Sequence, residues 1–404
     1  MAEQQPTVPS RRLVLGGSAA AALSGALVGF GAGRLDAPAS AAAEPAQDPS
    51  DPADLSPYGA YQRGILEEPQ THGIFLGLDI QWPKAKDERR DRLRSLLRML
   101  GEDAARLMSG DGVLADSEPE MASARGRLSI TVGLSRDAAA QAKSTADLSM
   151  LEPLPEFSGD KLEPRFGQAD LLVQFCGDDP TALAHALRAV RKNLTGLATV
   201  RFEQHGFTTP PGQAEHPHAF RNLFGQLDGI ANPRTTAREG AVFGHGDEQS
   251  WLPGGTVLVL RRIRMDLERW DEVDRPGRDF ALGRRQSDGS PLSGQHPDDP
   301  VDLSATTELG LPVIAGNAHV ALAKPVQAAE TMWRRGFSYT DGGESGLLFA
   351  CFQRDARTAF VPVQRRLAAS DAMNQWITHT GSGIYGILPG MSQEAQLGAA
   401  LFAE

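Results

Sequence analysis

The stretch THGIFLGLDI, residues 71–80, decides the fold, because this short apolar run is followed at once by a helical pattern. Its length and its Ile, Phe and Leu residues are typical of a buried strand. Apolar residues at helical spacing among arginines then predict a helix over 86–108. Further strands are predicted at 127–134, 169–176 and 198–204, with a helix at 179–193. The order is therefore β-α-β-β-α-β, that of a ferredoxin-like unit.

A related order follows in the second half of the chain. Strands are predicted at 256–264, 347–353 and 376–387, helices at 266–273 and 357–368, and a polar insertion rich in Gly and Pro at 274–304. We predict an α+β protein with an N-terminal ferredoxin-like domain over 70–215 and a C-terminal one over 216–404. The two halves share no evident sequence repeat, so this prediction rests on element order.

Composition limits the class of partner. The 404 residues are 41% hydrophobic and 23% charged, enough to bury a sizeable core. The net charge of −11 disfavours nucleic acid or an anionic membrane as a partner. Two cysteines, Cys176 and Cys351, exclude a disulfide framework but leave one bridge open.

The N-terminus has the pattern of an export signal. Arg11 and Arg12 precede an apolar stretch that ends near Gly33, and small residues follow up to Ala43. This pattern predicts a twin-arginine signal over 1–43, carried by the twin-arginine translocase. Retention as a membrane anchor is the alternative, although six glycines weaken the hydrophobicity of the stretch. Residues 44–69 are predicted to form a disordered linker.

Three stretches can carry chemistry. FGQLDGIANP, residues 224–233, frames Asp228 with two glycines, which can bring the backbone close to a flat ligand. NAHVALAKP, residues 317–325, contains a single histidine, and RRGFSY, residues 334–339, begins with paired arginines. Taken singly, each has an ordinary structural interpretation: a turn, a satisfied histidine and a solvated charged face.

In this order the three stretches resemble the dye-decolorizing peroxidase family. That family shares a G-x-x-D-G motif, a downstream proximal histidine and an arginine shortly after it. Further landmarks are Arg221-Asn222-Leu223-Phe224-Gly225, Leu252-Pro253-Gly254-Gly255-Thr256, Arg261-Arg262-Ile263-Arg264-Met265 and Phe360-Val361-Pro362-Val363-Gln364. With the twin-arginine signal, they place the chain near the exported branch that includes deferrochelatase-like proteins.

The resemblance implies a dimeric α+β barrel-type fold with one haem b per chain, bound in the C-terminal half. It implies that His319 is the proximal iron ligand, Asp228 the distal carboxylate and Arg334 the distal arginine, with Arg335 as the alternative. Further cofactor-binding positions are implied at Gly229, Asn232, Leu347, Phe349 and Asp371. Asp371 is the candidate acceptor for the second N–H of His319, and Leu347 and Phe349 wall the distal pocket.

The sequence also departs from the family pattern. GQLDGI stands where members commonly have GFKDGT, so that Gln226, Leu227 and Ile230 replace Phe, Lys and Thr. The aspartate, the glycines and Asn232 are kept. The hydrogen bonding around Asp228 is therefore expected to differ from that of better-known members.

The function expected from the resemblance is that of an exported haem peroxidase. It would reduce hydrogen peroxide and oxidise organic, phenolic or dye-like donors outside the cytoplasm. A haem-binding component of iron acquisition and an exported protein without haem are the alternatives. The electron donor, the surface residues that relay electrons and the oligomeric state stay open.

Overall fold

The computed structural model describes residues 55–142, 147–210, 212–216, 219–243 and 254–403. The predicted signal at 1–43 and the first part of the predicted linker lie outside these residues. None of the helices within them is both long and apolar enough to cross a bilayer.

Eight strands form one closed barrel. Four come from the first half: β1 (His72–Ile80), β2 (Ser129–Leu134), β3 (Leu171–Gly177) and β4 (Ala198–Phe207). Two strands of the second half, β5 (Phe220–Arg221) and β6 (Leu227–Asp228), form a separate hairpin. The remaining four complete the barrel: β7 (Thr256–Met265), β8 (Trp333–Asp341), β9 (Glu344–Gln353) and β10 (Ile377–Ile387).

The strand order around the barrel is β1-β3-β2-β10-β7-β9-β8-β4, and the pairs are antiparallel. Each half therefore has the order of a ferredoxin-like sheet, with its fourth strand beside its first and its third strand between the first and the second. The prediction of an α+β fold built from two such units is confirmed. The halves meet where β2 pairs with β10 and where β4 pairs with β8.

Helices cover the outside of the barrel. The first half contributes α1 (Lys86–Met108), α2 (Arg136–Ala142) and α3 (Pro180–Asn193). The second half contributes α4 (Thr235–Val242), α5 (Leu267–Asp271), α6 (Arg275–Leu282), α7 (His319–Ala323) and α8 (Phe360–Ser370). In α1, Leu93, Leu96, Leu97 and Leu100 form the buried stripe that the helical pattern predicts.

The predicted disordered linker is wrong for residues 55–69, which pack against the barrel. Ile65 is fully buried, and the Gln62 amide donates to Val132 O and Leu388 O, both at 2.9 Å, while its oxygen accepts from Val132 N at 2.8 Å. β2 and β10 pair through only two residue pairs, so the backbone beside this seam needs another partner. Gln62 supplies it.

The two cysteines are free and buried. Cys176 belongs to the apolar cluster inside the barrel, whereas Cys351 belongs to the cluster beneath the outer helices. The bridge that the sequence left open is therefore absent from the structure.

A buried polar cluster lies where the segment after residue 157 crosses β10. Lys161 N donates to His379 O at 2.9 Å, and Arg261 is paired with Asp160 at 2.5 Å. Asp160 also lies 3.6 Å from His379 Nδ1, but its charge is already matched by Arg261. Burial, and then the positive charge of Arg261, lower the pKa of His379 to about 3 from 6.5.

The lowered pKa of His379 predicts that the folded protein loses stability in acid. Between pH 6.5 and 3 the unfolded chain binds a proton at His379 that the folded chain does not, so the free energy of unfolding falls as pH falls through this window. The expected loss from this residue is about 2 kcal/mol at pH 5. Denaturant unfolding at pH 7 and pH 5 measures it. His379→Gln should lose less stability over this interval than the wild type, and an equal loss in both proteins would contradict the assignment.

Candidate active site

A short hairpin carries Asp228. Phe220 pairs with Asp228 and Arg221 with Leu227, so the motif that the sequence singled out sits on β5 and β6. Gly225 has φ +77° and Gly229 has φ +103°, a region of backbone conformation that favours glycine. The glycines thus let the chain turn sharply on either side of the aspartate.

Gly225 also makes room for the polar insertion. A Cβ atom at this position would lie 2.5 Å from Gln286 Nε2, which donates to Phe224 O at 2.6 Å. Arg221 adds hydrogen bonds to Gln286 O at 2.7 Å and Gly225 O at 2.8 Å. At Gly225, Gln286 of the insertion takes the space that the missing side chain leaves, and the insertion fixes the hairpin.

Asn232 connects the motif loop to β8. Its Nδ2 donates to Arg334 O at 2.9 Å, and its Oδ1 accepts from Arg334 N at 3.3 Å and from Arg334 Nε at 3.2 Å. A single buried amide therefore holds both the backbone and the guanidinium of Arg334. The asparagine of the motif and the arginine, 102 residues apart, form one structural unit.

The paired arginines face opposite sides of the sheet, as successive strand residues do. Arg335 is fully buried and donates to Glu67 O and to Gln70 Oε1, inside the barrel. Arg334 faces outward, towards the motif loop. This geometry favours Arg334 over Arg335 as the arginine available to a ligand.

His319 and Asp371 form a close pair. His319 begins the short helix α7, and its Nδ1 lies 2.6 Å from Asp371 Oδ2. The other carboxylate oxygen of Asp371 accepts from Met373 N at 2.9 Å, and Ala372 N donates to Asn317 O at 2.9 Å. These bonds fix the direction of the imidazole. With Nδ1 committed to Asp371, Nε2 is the atom that can bind a metal.

Three charged groups of the candidate site, Asp371, Asp228 and Arg334, act on His319. Partial enclosure opposes protonation of His319, but the Asp371 carboxylate outweighs it and raises the pKa of His319 above its usual value. Asp228 also favours the protonated form, whereas Arg334 opposes it. The fold thus brings Asp228 and Arg334 within electrostatic range of the histidine.

An apolar wall lies beside these groups. Leu347 and Phe349 are two residues apart on β9 and lie on the same face. The register places Leu347 opposite Ser338 and Phe349 opposite Gly336, on the outward face of β8. A Cβ at Gly336 would lie 3.2 Å from Leu347 Cδ1 and 3.4 Å from Phe220 Cζ, so this wall is closely packed. It belongs to the cluster that also contains Phe224.

Sequence reasoning missed Arg284. This buried residue lies in the insertion and donates to Gly289 O at 2.7 Å and Pro297 O at 3.1 Å. Burial, and then the positive charge of Arg334, lower the pKa of Arg284. Two cations therefore lie near each other on the Asp228 side of the site. The pair Arg284-Arg285 in a polar insertion gave no signal that distinguished it from solvated charge.

The donor set fits a haem. An oriented imidazole suits a bond to iron, the apolar wall suits the porphyrin, and the positive charge of Arg284 suits its carboxylates. An imidazole backed by a carboxylate, with an aspartate and an arginine near enough to act on its charge, is compatible with a haem peroxidase.

Comparisons with known proteins agree with this class. The family models described as "Dyp-type peroxidase, N-terminal" and "Dyp-type peroxidase, C-terminal" match residues 62–208 and 219–392. The chain belongs to the Dyp-type peroxidase family. It is a haem-dependent peroxidase, and the predicted family, enzyme class and haem cofactor are confirmed.

Individual relatives cover nearly the whole chain. A dye-decolorizing peroxidase of Thermobifida fusca (strain YX) is 36% identical over 94% of each chain. A deferrochelatase of Escherichia coli (strain K12) is 28% identical over 83% of this chain and 84% of its own.

Solved structures share the fold. The DyP-type peroxidase of Cellulomonas bogoriensis is 38% identical with a TM-score of 0.82, covering 87% of this chain and 99% of its own. DtpA of Streptomyces lividans, described as an oxyferrous complex, is 34% identical with a TM-score of 0.80, covering 87% and 98%.

Proposed function

We propose that His319 would hold the haem iron, that Asp228 would move the proton of hydrogen peroxide, and that Arg334 would stabilise the negative charge that develops on the peroxide. The observation that carries this proposal is the 2.6 Å pair of His319 and Asp371 within electrostatic range of Asp228 and Arg334. The haem, when bound, supplies an iron centre that accepts electrons from a reductant and passes them to peroxide.

His319 would act through its Nε2 lone pair. The Asp371 carboxylate accepts the Nδ1 proton, which fixes the tautomer and increases the basicity of Nε2. Asp371 is itself held by Met373 N, so the direction of the imidazole is set before a ligand arrives. Asp371 is thereby a positioning residue for His319.

Asp228 would take a proton from one oxygen of hydrogen peroxide and return it to the other, which leaves as water. Arg334 is held by Asn232, so its charge is in place without reorganisation during the reaction. Leu347 and Phe349 exclude water from this side, and a drier site strengthens both electrostatic contributions.

The proposed reductants are organic, phenolic or dye-like donors; the name of the Thermobifida fusca relative, a dye-decolorizing peroxidase, supports the dye-like class. The second candidate function, iron removal from haem, is suggested by the relatives named deferrochelatase. Both functions would use His319. Peroxidase chemistry would also need Asp228 and Arg334, and the hydrogen bonds by which Asn232 holds Arg334 beside the motif loop favour the peroxidase function.

A product analysis distinguishes the two functions. Haem-loaded protein is mixed with hydrogen peroxide and a phenolic dye, and separately incubated with haem and a reductant. We expect peroxide-dependent loss of the dye over many turnovers, with the haem spectrum restored afterwards. Accumulation of iron-free porphyrin, with dye oxidation no faster than that by free haem, would contradict the proposal and favour the second function.

We also infer export through the twin-arginine translocase. The support is the pair Arg11-Arg12 ahead of an apolar stretch, in residues that the structure does not describe. This route carries folded proteins and therefore suits a chain that must bind its haem before export. Fractionation of cells that carry the intact chain tests this inference, which fails if the protein stays in the cytoplasmic fraction.

A further inference from the structure

The helix that carries His319 is too short to hold its own position. α7 has five residues, and none of them is fully buried. A helix of this length is only marginally stable by itself, and most helices in proteins are held by packing of an apolar face. No residue of α7 belongs to an apolar cluster of the described chain. Polar contacts must therefore fix its position.

The neighbouring helix α8 is anchored where α7 is not. Phe360 and Val361 of α8 are buried and belong to the apolar cluster beneath the outer helices. The residue that ends α8 is Asp371, which is also the partner of His319 Nδ1. α8 therefore provides a fixed reference for the histidine.

Arg366 of α8 binds the C-terminal end of α7. Its Nε donates to Leu322 O at 3.1 Å, and its Nη2 donates to Lys324 O at 3.3 Å. The last carbonyl groups of a helix have no partner within the helix, and a cation at this end also interacts favourably with the helix dipole. Beyond the other end of α7, Ala372 N donates to Asn317 O at 2.9 Å. Both ends of α7 are thus attached to α8 and the residues that follow it.

Glu330 fixes the guanidinium of Arg366. Its two carboxylate oxygens accept from Arg366 Nη1 at 3.0 Å and from Arg366 Nη2 at 2.7 Å, so the pair is bidentate. Glu330 is 6% exposed, and Val326 N donates to its Oε2 at 2.9 Å. Bidentate pairs of this kind restrict direction as well as distance. The guanidinium is therefore held in the orientation that reaches α7.

We propose that Glu330 and Arg366 form a clamp that sets the position of α7, so that both are positioning residues for His319 Nε2. This proposal rests on the proposed role of His319 as the residue that holds the haem iron. Asp371 directs the imidazole ring, whereas the clamp fixes the backbone that carries the ring. Without the clamp, α7 would be free to shift relative to α8, and the bond between Nε2 and iron would weaken.

The test uses haem-loaded variants of the full chain. Arg366→Met alone would leave the buried Glu330 carboxylate without its partner and destabilise the fold. The double variant, Glu330→Gln with Arg366→Met, removes both charges together, and the new amide oxygen can still accept from Val326 N. Arg365→Met, at the exposed neighbouring position of α8, is the matched control.

Two measurements detect the bond to iron rather than the stability of the fold. Haem titration at the Soret band gives the haem affinity, and resonance Raman spectroscopy of the reduced haem protein gives the iron–histidine stretching band. We expect the double variant to bind haem about tenfold more weakly and to shift this band to lower frequency. Arg365→Met should leave the affinity and the band unchanged.

The outcomes separate the clamp from a structural role and from the role of His319. Wild-type affinity and an unshifted band in the double variant, with a lower Tm, would show that the pair merely stabilises the fold and would overturn the proposal. His319→Ala is measured in parallel at saturating haem. A band that persists in His319→Ala would defeat the proposed role of His319 and the clamp with it. Loss of the band in His319→Ala, beside an unshifted band in the double variant, would overturn the clamp alone.

Discussion

His319→Ala should yield a folded protein that retains little haem. The variant removes the nitrogen that would bind iron. Changes in groups that merely orient a metal ligand typically cost about 10-fold to 100-fold in affinity. Loss of the ligand itself should therefore weaken haem binding by at least about 100-fold. Haem titration followed at the Soret band measures this change.

Two further variants show whether the loss of haem affinity is specific to His319. Asp371→Asn should weaken haem binding less than His319→Ala, because it removes the partner of Nδ1 and leaves Nε2 in place. His205→Ala serves as the control, since His205 is exposed and paired with Glu203. Equal haem affinity in His319→Ala and His205→Ala would contradict the assignment of the axial ligand.

Asp228→Asn and Arg334→Leu should bind haem normally and react slowly with hydrogen peroxide. Asp228→Asn removes the proton acceptor, and such groups contribute about 10²-fold to 10⁴-fold. Arg334→Leu removes a positioned charge, for which a loss of about 10²-fold to 10³-fold is expected. Stopped-flow mixing with peroxide, followed in the haem spectrum, gives both rate constants.

The hydrogen bonds of Asn232 predict how the rate losses in Asp228→Asn and Arg334→Leu combine. Asn232 holds Arg334 against the loop that carries Asp228, so the two residues should act as a unit and the double variant should lose less than the product of the single losses. Asp341→Asn, at an exposed position, is the matched carboxylate control. Wild-type peroxide rates in both single variants would remove Asp228 and Arg334 from the mechanism.

Much of the fold could be predicted from apolar patterns. In α1, leucines at helical spacing form the buried stripe, and β1 is a short apolar run that is buried along nearly its whole length. β8 has no such pattern. It begins with Trp333, Arg334 and Arg335, and paired arginines usually indicate a solvated face. Arg335 instead points into the barrel, where it donates to Glu67 O and Gln70 Oε1.

The candidate site was partly accessible from the sequence. Asp228, His319 and Arg334 sit in short motifs, and the resemblance assigned them roles. The contribution of the insertion could not be predicted, because Gln286 and Arg284 reach the site through tertiary contacts that have no periodic signature. The packing of residues 55–69 could not be predicted for a similar reason. Gln62 donates to Val132 O and Leu388 O, which come together only when β2 and β10 pair and the barrel closes.

The central claim is that His319 and the pair Asp228 and Arg334 lie on opposite faces of the haem. A crystal structure of the haem-loaded protein tests it most directly. We expect His319 Nε2 bonded to the iron, Asp371 on its Nδ1, and the carboxylate of Asp228 with the guanidinium of Arg334 across the porphyrin. An iron bound by any other residue, or a porphyrin with all three side chains on one face, would contradict the account.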